Sequence, residues 1–373
     1  MLESSCSAGA TSTGAFQVSA QTFDGDLSIV GTSTLSGVMA GTGQTTITQG
    51  ADVVTDQFLR LEGSRTLVNN GTLDIVASLD LIDDTSVSNF GLINVDPGDN
   101  PFVQIGSTNG VGLLVNEASG TIVVRPAPFL DENAAPSSGG LVNVLTNFDN
   151  AGTVTLESGF LRLFGDGTHT GAFQLSGMLE GGTLDGARLR TFGNNVFEES
   201  ASVTGVSFGV QGGTTTFDGT LAVESTFVLG DATFTLNTDT STRLFAIFGS
   251  DETSFEAPEA LPTFGGTGNV TVTESFSFEE GAIVGSGLID VQAGATTTLG
   301  STFFTTAAPQ LSLSGRTIRN AAAFTSSEDP EATASVFSQG NLQIQDGGVF
   351  EQVVRLVGPQ HDREDRVVQP GQV

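Results

Sequence analysis

The stretch Leu61–Ile75, LEGSRTLVNNGTLDI, decides the fold. Its second half has the form Asn-x-Gly-x-apolar-x-apolar. That form returns at Asn89–Val95 (NFGLINV) and at Asn150–Leu156 (NAGTVTL). Its first half returns at Leu313–Phe324 (LSGRTIRNAAAF). Leu73 and Ile75 alternate with Thr72 and Asp74, so a strand there carries two aliphatic groups on one face and polar groups on the other. The Asn-x-Gly before it is read as a corner, because Gly reaches positive φ freely and Asn tolerates it. The glycines that open such strands are Gly71, Gly91, Gly120 and Gly152, at spacings of 20, 29 and 32 residues. A period in this range marks a repeat architecture with insertions in loops. One half-apolar strand cannot stand alone, whereas stacked copies bury a continuous core. The reading is an all-β chain coiled as a parallel β-solenoid.

Working outward, further alternating segments fall at Leu27–Val30, Thr45–Thr48, Leu79–Leu81, Val103–Ile105, Thr121–Val124, Leu141–Val144 and Leu161–Leu163. Phe227–Leu229 and Phe234–Leu236 continue the pattern. From residue 264 the early region is replayed: Gly41–Thr55 aligns with Gly285–Leu299, and Arg65 with Arg316. Segment 126–140 (PAPFLDENAAPSSGG) holds three of the 11 prolines and no alternation. Pro cannot join a central ladder, so this segment is read as a projecting loop. Further loops are expected at 250–263 and 326–334. The domain scheme is therefore solenoid over 1–125, projecting loop over 126–140, solenoid over 141–357, and a polar, disordered tail over 358–373.

Composition narrows the function classes. The 373 residues include 49 Gly, 27 Phe, no Trp and no Tyr, and the formal net charge is −30. Phe without a polar handle suits a dry interior. A polyanion of this size repels nucleic acid and anionic membranes at long range, so neither is an expected partner. No apolar run of about 20 residues is present for membrane insertion. The single cysteine, Cys6, excludes an intrachain disulfide and a Cys-based zinc site. No cofactor is expected. Ca²⁺ is the one metal that carboxylates in such number would suit, but there is no EF-hand loop, and Asp24-Gly25-Asp26 is too short to make a site.

The candidate chemistry is sparse. His169 and His361 are the only histidines, too few for a His-based zinc site, and His169 is read as a turn residue. The pairs Asp83-Asp84, Glu198-Glu199 and Glu279-Glu280 are read as solvated surface charge. The enzymatic alternative is a β-helix carbohydrate-active hydrolase or lyase, with Asp80, Asp83, Asp84 and Asp96 converging from neighbouring rungs. The residues singled out are structural: Gly71, Gly91 and Gly152 at corners, and Asn70, Asn89, Asn150 and Asn320 as a stacked amide ladder. Arg65 and Arg316 are read as pairing with an acidic neighbour or hydrogen-bonding corner carbonyls. The sequon matches Asn70-Gly71-Thr72 and Asn269-Val270-Thr271 are read as chance.

Asn-Ala-Gly-Thr-Val-Thr-Leu, Gly-Asp-Gly-Thr-His-Thr-Gly and Gly-Arg-Thr-Ile-Arg-Asn resemble repeats of bacterial secreted, adhesin-like and autotransporter-passenger-like β-helix proteins. The resemblance covers residues 60–300 best. It implies a right-handed parallel β-helix and an extracellular or cell-surface setting, and it transfers no catalytic residues. The expectation is a non-enzymatic structural stalk or adhesin-like module, with glycans or surface proteins as partners. The sequence shows no export signal, so it is expected to be a piece of a longer exported chain.

Overall fold

The computed structural model describes residues 10–13, 17–22, 25–96, 102–106, 112–125, 140–180, 183–249, 261–299, 310–321, 323–324, 341–345, 349–356 and 363–369. Among these residues there is no helix, and the strands form two large, almost wholly parallel sheets. This is a parallel β-helix. The chain divides into two compact units, Met1–Ser207 and Phe208–Val373. The division falls inside the strand Ser202–Val210.

In the middle of the first unit a coil runs through three strands. One coil is Ser64–Asn69, Thr72–Ile75 and Leu79–Leu81, and the next is Ser86–Asn89, Leu92–Val95 and Phe102–Ile105. Like strands pair coil over coil and make three parallel ladders. In the second ladder Leu73 lies beside Ile93, Ile93 beside Ile122, and Ile122 beside Val154. In the third ladder Val103 lies beside Val142, and Val142 beside Leu161. The second and third ladders belong to one sheet because the long strand Asp52–Leu61 pairs with both Thr72–Ile75 and Leu79–Leu81.

The reason for this arrangement is the alternation already visible in the sequence. Most four-residue strands bury their second and fourth side chains and leave the first and third partly exposed. In-register stacking then puts every buried pair on the interior axis. Leu73, Ile75, Ile93, Val95, Val154 and Leu156 are all essentially inaccessible. A slip of one residue would turn all of them outward, so burial itself fixes the register. Segment 126–139 lies outside the described residues. Its flanks place it between the second-ladder strand Thr121–Val124 and the third-ladder strand Leu141–Val144. One antiparallel hairpin, Gly177–Glu180 with Thr183–Gly186, is inserted at the same type of corner in a later coil.

In the second unit, as already at Asp52–Leu61, the corner between the second and third ladders is straightened in several coils, and it returns between Leu288–Val291 and Thr296–Leu299. Single long strands, Thr220–Leu229, Thr240–Phe248 and Val270–Phe278, replace two short ones. The interior here is largely aromatic, with Phe208, Phe217, Phe234, Phe245, Phe264, Phe276 and Phe278 fully buried. Their rings meet at 5.6–5.8 Å between centroids for Phe208–Phe217, Phe208–Phe234 and Phe234–Phe264, within the favourable range for tilted and edge-on pairs. The residues 250–260 and 325–340, which cover most of the other two expected loops, lie outside the described residues. Within the tail, Arg363–Gln369 forms a strand antiparallel to Val349–Leu356, where the sequence suggested disorder.

Candidate functional site

Among the described residues, a column of buried polar groups lines the end of the first ladder. Asn69, Asn89, Asn116 and Asn150 occupy one column, each beside the next. All four are at most 1% exposed. Asn69 Nδ2 donates to Asn89 Oδ1, Asn89 Nδ2 to Asn116 Oδ1, and Asn116 Nδ2 to Asn150 Oδ1, each at 2.8 Å. The same nitrogens donate to the carbonyls that open the next coil's second-ladder strand: Leu92 O at 2.9 Å, Thr121 O at 3.1 Å and Thr153 O at 3.3 Å. An amide has two N–H donors, and here both are used. The ladder therefore ties the first-ladder strand of each coil to the corner of the coil above it.

The sequence reading placed one rung of this ladder wrongly. Asn70 is exposed, and Asn69 is the buried rung. The Asn-x-Gly spacing itself selects Asn69 within Asn69-Asn70-Gly71. Asn116 was missed because two extra residues separate it from Gly120. A better signal is apolar-x-Asn at the end of the strand, shared by Leu67-x-Asn69, Val87-x-Asn89, Leu114-x-Asn116 and Phe148-x-Asn150. Asn320 is buried but stands in another ladder, where it accepts from Thr297 Oγ1 at 2.9 Å.

The corner glycines stack next to this column, for a different reason from the one expected. Gly71, Gly91, Gly120 and Gly152 are not among the glycines with positive φ. What they share is close approach. A Cβ on Gly91 would overlap Gly71 O, and one on Gly152 would overlap Gly120 O. Those carbonyls also accept ladder hydrogen bonds, Leu92 N to Gly71 O at 2.9 Å and Thr153 N to Gly120 O at 3.0 Å. The absent side chain, and not backbone freedom, is what the corner needs.

Above Asn150 the column continues with His169 and then Phe197. His169 ends a strand, Gly167–His169, and is wholly buried, not a turn residue. Its ring lies 4.6 Å from Phe197, 5.2 Å from Phe173 and 5.8 Å from Phe148. Nε2 is 3.1 Å from Asn195 Oδ1. That carbonyl can only accept, so the ring's proton sits on Nε2. His169 Nδ1 and Asn195 Nδ2 make no hydrogen bond. Burial pushes the imidazole down from 6.5 to about 4, against the smaller opposing effects of Asn195 and the Asp149 charge.

Arg65 and Arg316 are also fully buried. Arg65 donates from Nη1 to Thr45 Oγ1 at 2.9 Å, and from Nη2 to Thr42 O at 2.9 Å and Gly25 O at 3.3 Å. Arg316 donates from Nη2 to Gly268 O at 2.9 Å and Gly266 O at 3.1 Å, and its guanidinium lies 4.6 Å from the Phe264 ring centroid. Burial lowers its pKa to about 10, which leaves it a cation at neutral pH. Both side chains reach back to carbonyls of earlier coils. Gly63 stacks on Gly41 just before Arg65, as Gly315 stacks on Gly285 just before Arg316.

The acidic residues lie on outer positions. Asp80 pairs with Arg60 at 3.2 Å. Asp83, at φ 60°, and Asp84 are exposed in the turn after the third-ladder strand, and Asp96 is exposed after a second-ladder strand. These four occupy three different positions around the coil. Ion pairs link neighbouring coils at Arg125–Glu157 (3.0 Å) and Arg243–Glu274 (2.7 Å). Glu198 and Glu199 are exposed, and Glu279 and Glu280 are half-buried. Among the described residues, no three His, Cys, Asp or Glu side chains are grouped to hold a metal ion. Among the described residues no helix is long and apolar enough to cross a membrane. Comparison with protein-family models, curated proteins and solved structures finds no match.

Proposed function

We propose that this chain is a non-enzymatic structural or adhesin-like segment of an extracellular or cell-surface protein. The observation that carries the reading is where the polar chemistry is spent. The buried Asn column and Arg65 and Arg316 bond to backbone and side chains of neighbouring coils. Outer charges also pair from coil to coil. Polar groups used in this way hold a scaffold together; they are not poised on a reacting bond. A scaffold of this kind presents surface to glycans or to surface proteins, the partner classes proposed here.

The test runs two assays on the purified chain. One is binding to glycan and surface-protein arrays, and the other is product release from a panel of neutral and acidic polysaccharides. The proposal expects no cleavage, with array binding marking an adhesive module and its absence a spacer. Reproducible release of reducing ends or unsaturated sugars, abolished by Asp80→Asn or Asp84→Asn, would replace it with the carbohydrate-active reading.

A further inference from the structure

Asn70 is exposed and is followed by Gly71, the pairing of residues most open to spontaneous deamidation. In that reaction the Gly71 backbone nitrogen gives up its proton to solvent base and bonds to Asn70 Cγ. The Cγ–Nδ2 bond breaks and ammonia leaves, closing a five-membered succinimide. One water then opens the ring at either carbonyl and leaves aspartate or isoaspartate at position 70. No oxidant or reductant is involved. Gly71 has no side chain to hinder the attack, and Asn70 faces water.

The fold opposes each step. The Gly71 N–H donates to Asn69 Oδ1 at 3.1 Å, so the attacking nitrogen is held by the lowest member of the asparagine ladder. The peptide units on both sides are pinned: Asn70 N to Ile47 O at 2.9 Å, Thr72 N to Ala51 O at 2.9 Å, and Leu92 N to Gly71 O at 2.9 Å. Ring closure must rotate the Asn70–Gly71 peptide and break these bonds. We propose that Asn70–Gly71 is a deamidation site kept shut by the Asn69 carboxamide, so that modification occurs only when this coil opens. The change is then one-way. Isoaspartate adds a methylene to the main chain at a corner where even a Cβ on Gly71 would overlap Ala51 O, so the altered coil cannot return to its register. This inference stands independently of the proposed surface role.

The experiment is peptide mapping by mass spectrometry, with isoaspartyl detection, on the full chain incubated in mildly alkaline buffer. Four samples are compared: native protein, protein in concentrated urea, native Asn69→Ala and native Asn116→Ala. The native chain should convert at position 70 on the order of 100-fold more slowly than the chain in urea, as for a segment that reacts only through local opening. Asn69→Ala should recover most of that difference. Asn116→Ala damages the ladder two coils away and leaves the Gly71 contact in place, so it should stay protected. Conversion of the native chain at the urea rate would overturn the proposal. So would equal rates in the two variants, because protection would then be global stability alone.

Discussion

Acidification should cost the first unit stability through one side chain, His169. Its folded pKa of about 4 lies below the unfolded value of 6.5 because the ring is buried among Phe148, Phe173 and Phe197. The unfolded chain therefore takes up the proton first. Stability from this group is complete above pH 6.5, falls as the pH drops from there towards 4, and levels off below. At about 1.4 kcal/mol per pH unit the whole gap is worth about 3 kcal/mol, with about 2 kcal/mol gone by pH 5. The perturbation that isolates it is His169→Asn, which carries no charge at any pH and continues the amide column one step past Asn150.

Urea unfolding of both proteins should be followed from pH 7 to pH 4.5, with the variant's free energy subtracted from that of the wild type. Carboxylates titrate alike in both proteins and cancel in the difference. The expected difference falls by about 2 kcal/mol between pH 7 and pH 5. A proton resonance of the imidazole should show the same low midpoint directly. Parallel stability curves, or a resonance titrating near 6.5, would mean that the ring is hydrated in solution, and the burial argument would fail with it.

Other outcomes follow from the corner. Asn89→Ala should cost about 2–4 kcal/mol, because it orphans a donor on Asn69 and an acceptor on Asn116 inside the core. Asn70→Ala, at an exposed neighbour, should change stability by less than about 0.5 kcal/mol. Chemical denaturation distinguishes the two. Gly152→Ala should cost about 3 kcal/mol or more, because the new Cβ meets Gly120 O and Glu117 O, which are backbone atoms and cannot step aside. Gly50→Ala meets nothing within 4 Å and strains only a φ of 80°, for about 1 kcal/mol. Similar losses for the two alanines in thermal melts would show that stacking is not what Gly152 provides.

The chain's strand class and stacking direction were legible from Leu73, Ile75 and their echoes. Period-two alternation with a corner residue every 20–32 positions favours coiling, which buries each strand's face against the next copy. The same pattern located Leu27–Val30, Thr121–Val124 and Leu141–Val144 with the bounds found in the structure. The candidate ladder was half legible. Asn89 and Asn150 stand out from the spacing, whereas Asn70 was taken for Asn69 and Asn116 lay hidden behind a two-residue insertion. Neighbours in such a column are 20, 27 and 34 residues apart, and local sequence holds no record of which insertion closes on itself.

The sequence by itself determined that inward and outward faces alternate, that the interior is apolar, and that corners carry Asn and Gly. Those properties are local and follow from the two-residue strand period. Only the tertiary structure decided what the corners demand. The absent Cβ matters at Gly71, Gly91 and Gly152 because another coil's carbonyl lies against them, and φ plays no part. It likewise decided that His169 faces the core above Asn150, because contact between coils, unlike alternation within one, depends on what stacking brings together.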